Sequence, residues 1–330
     1  MQYLDERSRI SLIEGLRRRV GKQGYLRALR DGHAKRRPRP CGLTVHSGIG
    51  CDALCKYCYI QDLGFEFTRV KPYHLTGDEL VLALLLNRFF KPGREGTFLA
   101  FGSVTDPLHQ ACIERTKEYL AAIERFLGNP CQFSTKRRAP ADFIDFLRKL
   151  KVSVSPLITL VSLKMAEVLE PNAPPPSERL DFIRELRNAG LKPMLFLRPL
   201  IPGIVDKEID DILDEAKSAG AVGVVAGALR VSPLILSRMK KAGINLAEIK
   251  RRIKRREGKF LLVDCSDLKK KTHKIAEEKG LIFFNSACCA SAYTAGVLCM
   301  GRCWEKKICT KCPNKCYEKI KKTESAFKAA

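Results

Sequence analysis

The sequence lacks an apolar run long enough to cross a membrane. The best candidate, Leu80–Leu86, has only seven residues, whereas a membrane-spanning helix needs roughly 18–20. The stretch Met1–Arg7 also lacks the apolar core of a secretory signal peptide. We therefore expect a cytoplasmic protein with no membrane partner.

The sequence has neither internal repeats nor low-complexity tracts, which argues against solenoid and fibrous architectures. Its composition, 45% hydrophobic and 29% charged, is ordinary for a globular protein and excludes global disorder. At roughly 150 residues per domain, the 330 residues have room for about two domains.

Acidic residues are scarce at the two ends of the chain. The formal net charge is +24, of which residues 1–40 carry +8 and residues 249–330 carry +13, leaving +3 for residues 41–248. Charge concentrated in this way is typical of a polyanion-binding surface. Solvated helix faces are the alternative interpretation.

Structural disulfides are rare in the cytoplasm, yet the chain has 14 cysteines. So many thiols in a reducing compartment indicate metal or redox chemistry.

From residue 41 onward, short apolar runs alternate with amphipathic stretches of 10–15 residues, a pattern that predicts βα units and a parallel sheet. Six such units are predicted, two fewer than a complete eight-stranded barrel. A helix is predicted over Pro233–Arg256, followed by possible strands at Phe260–Val263 and Leu281–Phe284. The predicted organisation is a basic helical segment (1–40), an α/β domain (41–248) and a basic cysteine-rich module (249–330).

Cys51, Cys55 and Cys58 form a C-x3-C-x2-C motif after the first predicted strand, preceded by Gly48 and Gly50. Three thiolates this close can ligate three irons of a four-iron cluster and leave the fourth iron open for chemistry. A zinc site with a distant fourth ligand and inert buried thiols are the alternatives.

The motif, with Tyr57 before its last cysteine, resembles the signature of radical S-adenosylmethionine (SAM) enzymes. The resemblance implies an α/β fold built as a partial (βα)6 barrel. It also implies a 4Fe-4S cluster held by the three cysteines, SAM bound at the open iron, and reductive cleavage of SAM to a 5′-deoxyadenosyl radical. An electron donor such as ferredoxin or flavodoxin is implied as a partner.

The stretches 169–179 and 198–203 and the sequence Cys58-Tyr-Ile-Gln61 are similar to the branch related to spore photoproduct lyase. That lyase has a hydrogen-donating cysteine near the end of its second strand, whereas Phe98–Asp106 contains none. True photoproduct repair is therefore not expected. Tyr57 and Tyr59 could still relay a hydrogen atom, or could simply pack around the cluster.

Further cofactor contacts are expected where the predicted strands end, since polar groups there face the mouth of such a barrel. Tyr57 would lie near the adenine, and the stretch from Gly102 to Asp106 would contact the methionine amino group. The complete set of expected cofactor contacts is Tyr57, Gly102, Ser103, Asp106, Ser134, Lys136, Ser162 and Arg198.

Seven cysteines lie between residues 288 and 316, and the last four form a C-x5-C-x2-C-x3-C pattern. Four close thiolates suit either a zinc ion or a second 4Fe-4S cluster. The predicted ligands are Cys303, Cys309, Cys312 and Cys316.

Three functions remain open at this point. The first is radical modification or repair of a nucleic acid, RNA or DNA. The second is radical modification of a peptide or small molecule with the help of an auxiliary cluster. The third is a zinc-stabilised nucleic-acid-binding protein with no enzymatic activity.

Overall fold

A computed structural model describes residues 6–39 and 42–298. Strands and helices alternate along most of this length. The strands, in chain order, are β1 (Leu43–Val45), β2 (Gly48–Ile49), β3 (Lys71–Pro72), β4 (Leu99–Phe101), β5 (Cys131–Thr135), β6 (Val154–Thr159), β7 (Met194–Leu200), β8 (Gly223–Ala228), β9 (Arg230–Val231), β10 (Ile253–Glu257), β11 (Phe260–Val263) and β12 (Ile282–Phe284). The α-helices are α1 (Glu6–Arg30), α2 (Gly77–Leu86), α3 (Ile113–Phe126), α4 (Ala141–Lys149), α5 (Ala166–Leu169), α6 (Pro176–Asn188), α7 (Ile209–Ser218), α8 (Pro233–Lys241), α9 (Ala247–Arg251), α10 (Ser266–Glu278) and α11 (Ala287–Ala295).

The central sheet has seven strands in the order β1-β4-β5-β6-β7-β8-β12, and every neighbouring pair is parallel. The six strands predicted between residues 41 and 248 are confirmed as neighbours in chain order. The partial barrel stays a prediction, because the structure shows an α/β fold on a parallel sheet whose edge strands are β1 and β12. The carboxyl ends of parallel strands share one edge, where α/β proteins place their sites.

The sheet does not stop at residue 248, the predicted domain boundary. β12 pairs with β8, and α11 packs against the same sheet. Residues up to 298 therefore extend the fold, and the predicted strand at 281–284 is its seventh parallel strand.

The two faces of the sheet bury different clusters. Leu195 faces the main core, which contains the buried sides of α2, α3, α4, α6 and α7, whereas its neighbour Met194 packs with α11. Consecutive strand residues point to opposite faces, so α11 covers the face opposite those helices. Its alanine- and cysteine-rich sequence suits a helix that is buried on most sides.

The helix predicted over Pro233–Arg256 is wrong as one continuous helix: it is broken into α8 and α9, and its last four residues are not helical. α8 ends before Gly243, which has a left-handed φ of 77°, and the basic run 253–257 forms strand β10 instead. β10 pairs antiparallel with β11 through the two-residue turn Gly258-Lys259, and β9 completes a small three-stranded sheet. A glycine with φ of 60° at the first turn position is typical of such hairpins.

The basic N-terminal segment is helical, as predicted, and Gly21 interrupts α1 with φ of 68°. α1 packs along α2, where Arg27 forms an ion pair of 2.5 Å with Glu79 and Arg9 donates to the Leu85 and Phe90 carbonyls near the end of α2. Some of the basic side chains of α1 are therefore bonded to other parts of the protein. Across the described residues, none of the helices has the length and hydropathy to cross a membrane.

Candidate functional site

The cysteine loop follows β1 at the carboxyl edge of the sheet and lies in the connection between the antiparallel strands β2 and β3. Gly50, with φ of 88°, lets the chain pass against the Arg69 carbonyl, which would lie only 1.9 Å from an added Cβ. Between the first two thiols, Leu54 has a φ of 51°, which is uncommon for a residue with a side chain. The loop is therefore held in a tight, curled path.

The three thiols lie close to one another and none is in a disulfide. Burial raises the pKa of Cys51 to about 11 and that of Cys55 to about 12, and it also raises the pKa of Cys58. Each of these pKa values responds to Lys136, whose cation opposes the effect of burial. Lys136 therefore lies near all three sulfurs.

The loop fits a four-iron cluster. Throughout residues 6–39 and 42–298, no three His, Cys, Asp or Glu side chains are placed to share one metal ion. A four-iron cluster is bound differently, because each thiolate ligates a different iron. Three sulfurs spread around a curled loop suit that arrangement.

Tyr57 and Lys136 meet at a buried carboxylate that the sequence analysis did not single out. The Tyr57 hydroxyl donates to Oε1 of Glu170, and the Lys136 Nζ lies 3.8 Å from the same oxygen and 5.8 Å from the Tyr57 ring centre. Burial alone lowers the pKa of Lys136, but the Cys55 and Glu170 charges outweigh it and the pKa is raised. Lys136 therefore stays a cation.

Arg179 completes this network from α6. Its Nη1 lies 2.5 Å from Oε2 of Glu170 and donates to the Thr159 carbonyl at 3.1 Å, and its Nε donates to the Pro174 carbonyl at 2.8 Å. Arg179 and Glu170 are 1% exposed. Glu170 is therefore held in a buried ion pair next to the Tyr57 hydroxyl.

The segment containing Glu170 also bonds directly to the cysteine loop. The Lys56 amide donates to the Leu169 carbonyl at 2.8 Å, and the Asn172 side chain donates to the Asp52 carbonyl at 3.1 Å. In the sequence, the stretch beginning at Leu169 carries only a family resemblance. Its structural role is to fix one side of the loop.

The ends of β4 and β5 are joined by predicted site residues. Gly102, with φ of 94°, lies against Ser134, whose carbonyl would be 2.4 Å from an added Cβ. The Asp106 carboxylate accepts hydrogen bonds from Thr135 Oγ1 at 2.7 Å and from the Lys136 amide at 2.9 Å. Asp106 therefore organises this edge.

Ser103 has an unused polar atom at this edge. Its carbonyl accepts a 2.7 Å hydrogen bond from the Tyr59 hydroxyl, but its buried Oγ has no hydrogen-bond partner in the described part of the chain. A buried hydroxyl without a partner is costly unless a ligand supplies one. Tyr59 is 41% exposed and its ring centre lies 6.4 Å from that of Phe260 in β11.

Ser162 and Arg198 lie farther along the same edge, at β6 and β7. The Ser162 hydroxyl donates to Glu208 at 2.8 Å and accepts from the Met165 amide at 2.9 Å, so it is used in a turn. Arg198 is exposed, and its guanidinium lies 5.9 Å from the Phe196 ring centre. The structure groups the other predicted residues around β1, β4 and β5; Ser162 lies outside that group, whereas the Arg198 charge acts on the pKa of Tyr59.

Two of the seven C-terminal cysteines, Cys288 and Cys289, are buried in α11. Cys303, Cys309, Cys312 and Cys316 lie outside the described residues.

Comparison with known proteins decides the family. The model of the radical SAM superfamily matches residues 45–216, just over half of the chain. The chain belongs to the radical SAM superfamily. Membership makes it a radical SAM enzyme and implies SAM and a 4Fe-4S cluster as cofactors.

Relatives of this radical SAM enzyme include uncharacterized proteins of Mycobacterium tuberculosis and Mycobacterium bovis, each 26% identical over 206 residues. That match covers 58% of this chain and 60% of each relative. An uncharacterized protein of Acidianus two-tailed virus is 26% identical over 180 residues, covering 49% of this chain and 56% of the viral protein.

Solved structures show the same fold. A spore photoproduct lyase mutant with bound AdoMet and dinucleoside spore photoproduct superimposes with a TM-score of 0.62 at 19% identity, over 77% of this chain and 79% of that chain. The lyase complexed with dinucleoside spore photoproduct gives a TM-score of 0.60 at 18% identity, over 77% of this chain and 79% of that chain.

Proposed function

We propose that this enzyme reductively cleaves SAM at a 4Fe-4S cluster held by Cys51, Cys55 and Cys58, and uses the product to modify or repair a nucleic acid. The observation that carries the chemistry is the curled loop with three neighbouring thiols at the carboxyl edge of a parallel sheet. When bound, the cluster and SAM together supply a 5′-deoxyadenosyl radical that abstracts a hydrogen atom from the substrate.

The chain's own residues bind and orient the cofactor. Lys136 holds a cation beside Tyr57 and Glu170, where it can pair with the SAM carboxylate. The Ser103 hydroxyl, buried without a partner among the described residues, is available for a polar group of the methionine moiety. Gly102 keeps the wall between β4 and β5 free of a side chain, and the network around Glu170 fixes the Tyr57 ring near the adenine.

A basic hairpin beside the cysteine loop supports a nucleic acid as the substrate. The turn residue Lys259 donates to the Asp62 carbonyl at 3.1 Å, and Phe260 contacts Tyr59. The hairpin β10–β11 therefore lies next to the site. A fold that holds AdoMet and a dinucleoside lesion in spore photoproduct lyase gives further support.

Some basic side chains of this region are paired with carboxylates, and others are not. Arg251 and Arg252 pair with Glu248, and Lys254 pairs with Asp264 at 2.7 Å. The exposed Arg255 and Arg256 have no carboxylate partner within the described ranges. These two guanidinium groups are the proposed phosphate contacts of the hairpin.

Two further parts of the proposal rest on the sequence and the family. Cys303, Cys309, Cys312 and Cys316 hold a second 4Fe-4S cluster or a zinc ion. Ferredoxin or flavodoxin delivers the electron that SAM cleavage requires.

The substrate class is tested by the salt dependence of binding to labelled single-stranded RNA and DNA. Each phosphate contact contributes a slope of about −0.7 to −0.9 on a log–log plot of affinity against salt. The double variant Arg255→Gln/Arg256→Gln should therefore bind more weakly, with a slope shallower by about 1.4 to 1.8. SAM cleavage without substrate should persist, because the loop is untouched.

The matched control is Lys149→Gln/Lys151→Gln, which removes the same charge. Both lysines are exposed; Lys149 is the last residue of α4 and Lys151 lies just before β6, at the amino edge of the sheet and away from the loop. The control should keep the parent slope. Binding too weak to measure at about 0.1 M salt, or a slope equal in both variants, would contradict a nucleic-acid substrate and favour a peptide or small molecule.

A further inference from the structure

Arg238 of α8 contacts the cysteine loop from a position 180 residues after Cys58. Its Nη2 donates to the Cys58 carbonyl, its Nη1 donates to Oε1 of Gln61, and its Nε lies 3.5 Å from the Lys56 carbonyl. One guanidinium therefore bonds to three acceptors spread over six loop residues.

The position of Arg238 is itself fixed. The guanidinium carbon lies 5.4 Å from the Phe67 ring centre, a distance at which a cation is attracted to an aromatic face. α8 begins at a well-formed cap, where the Ser232 hydroxyl accepts from the Ile235 amide, and buries Ile235 and Met239. The Leu169–Asn172 segment also bonds to the loop, so two separate elements hold it.

The guanidinium also brings charge to the sulfurs. The Nη2 hydrogen bond to the Cys58 carbonyl and the Nε contact with the Lys56 carbonyl place this cation beside the loop that carries the proposed cluster ligand Cys58. Arginine remains protonated in proteins. A fixed positive charge near a redox centre stabilises the state that has gained an electron.

We propose that Arg238 is a positioning residue that fixes the loop around Cys58 and raises the reduction potential of the cluster. The inference rests on the proposed cluster at Cys51, Cys55 and Cys58. It predicts two separable effects, since the multidentate geometry holds the loop and the charge sets the potential.

The test compares Arg238→Gln and Arg238→Lys with the parent after anaerobic reconstitution. Arg238→Gln removes the cation and should give a more negative midpoint potential in an EPR-monitored titration without SAM, together with iron loss to a chelator that is several-fold faster. Arg238→Lys keeps the positive charge, but the lysine ammonium cannot bond to all three acceptors as the planar guanidinium does. It should retain most of the potential and still lose iron faster.

Lys240→Gln is the matched control, because Lys240 is exposed on the same helix and should leave both measurements unchanged. A parent-like potential and a parent-like rate of iron loss in Arg238→Gln would overturn the inference. If Arg238→Gln does not fold, a parent-like rate of iron loss in Arg238→Lys overturns it. A parent protein that takes up no iron refutes the proposed cluster instead.

Discussion

At the scale of single residues, the site depends on charges that are buried in pairs. Glu170 accepts from Tyr57, pairs with Arg179 and lies 3.8 Å from Lys136. The two cations around one carboxylate leave a net positive charge beneath the loop. Such an arrangement suits a pocket that must receive the carboxylate of a cofactor.

Truncating this carboxylate should be strongly destabilising. Glu170→Ala leaves the Arg179 guanidinium buried without its ion partner, which costs about 3–5 kcal/mol. The free energy of unfolding, measured by anaerobic urea titration, should fall by that amount. Glu185→Ala breaks the exposed pair with Arg138 and should cost at most about 1 kcal/mol. Equal losses in the two variants would contradict the role of Glu170.

The sequence alone pointed to only some of the residues that the structure places at this candidate site. Tyr57 and Lys136 were found because each stands beside a recognisable motif or strand end. Glu170 and Arg238 were missed as site residues because they reach the loop from 113 and 180 residues away in sequence. Arg238 is one of several basic residues on an amphipathic helix, and nothing in its local pattern indicates its partners.

At the scale of elements, the cysteine loop can adopt its observed path only if the position just before Cys51 carries no side chain. An alanine at Gly50 would place its Cβ 1.9 Å from the Arg69 carbonyl, in addition to the strain of a φ of 88°. Gly50→Ala should therefore prevent correct loop closure and sharply reduce iron per chain after reconstitution, although all three thiols remain.

Gly64→Ala is the control for backbone strain. Gly64 belongs to the same region and has a φ of 79°, but no atom lies within 4 Å of an added Cβ. This variant should pay only the left-handed strain of about 1–2 kcal/mol and retain its iron. Full iron uptake by Gly50→Ala would show that the loop does not need this close approach.

Element prediction was accurate where periodicity was clear. Alternation of apolar strands and amphipathic helices located β1 and β4–β8, because buried parallel strands are short apolar runs. The strand β10 was missed because Ile253–Glu257 is almost entirely charged and exposed, so it has no apolar alternation. Its only signal was the turn glycine, Gly258, between two runs that can pair.

At the scale of the whole molecule, the central claim is that three thiols of one loop make this chain a SAM-cleaving enzyme. The α/β scaffold brings the loop, the Lys136 cation and the Glu170 network to one edge of the sheet, and the basic hairpin lies beside them. All other proposals depend on that chemistry.

The most direct test is SAM cleavage by the reconstituted, reduced protein without oxygen, followed by chromatography of 5′-deoxyadenosine and methionine. The parent should form both products. Cys51→Ala, Cys55→Ala and Cys58→Ala should each form neither, because loss of one thiolate removes a ligand of the cluster. Cys131→Ala, which alters a buried free thiol in β5, should keep the activity. Cleavage that survives in all three loop variants, or is absent from the parent, would contradict the account.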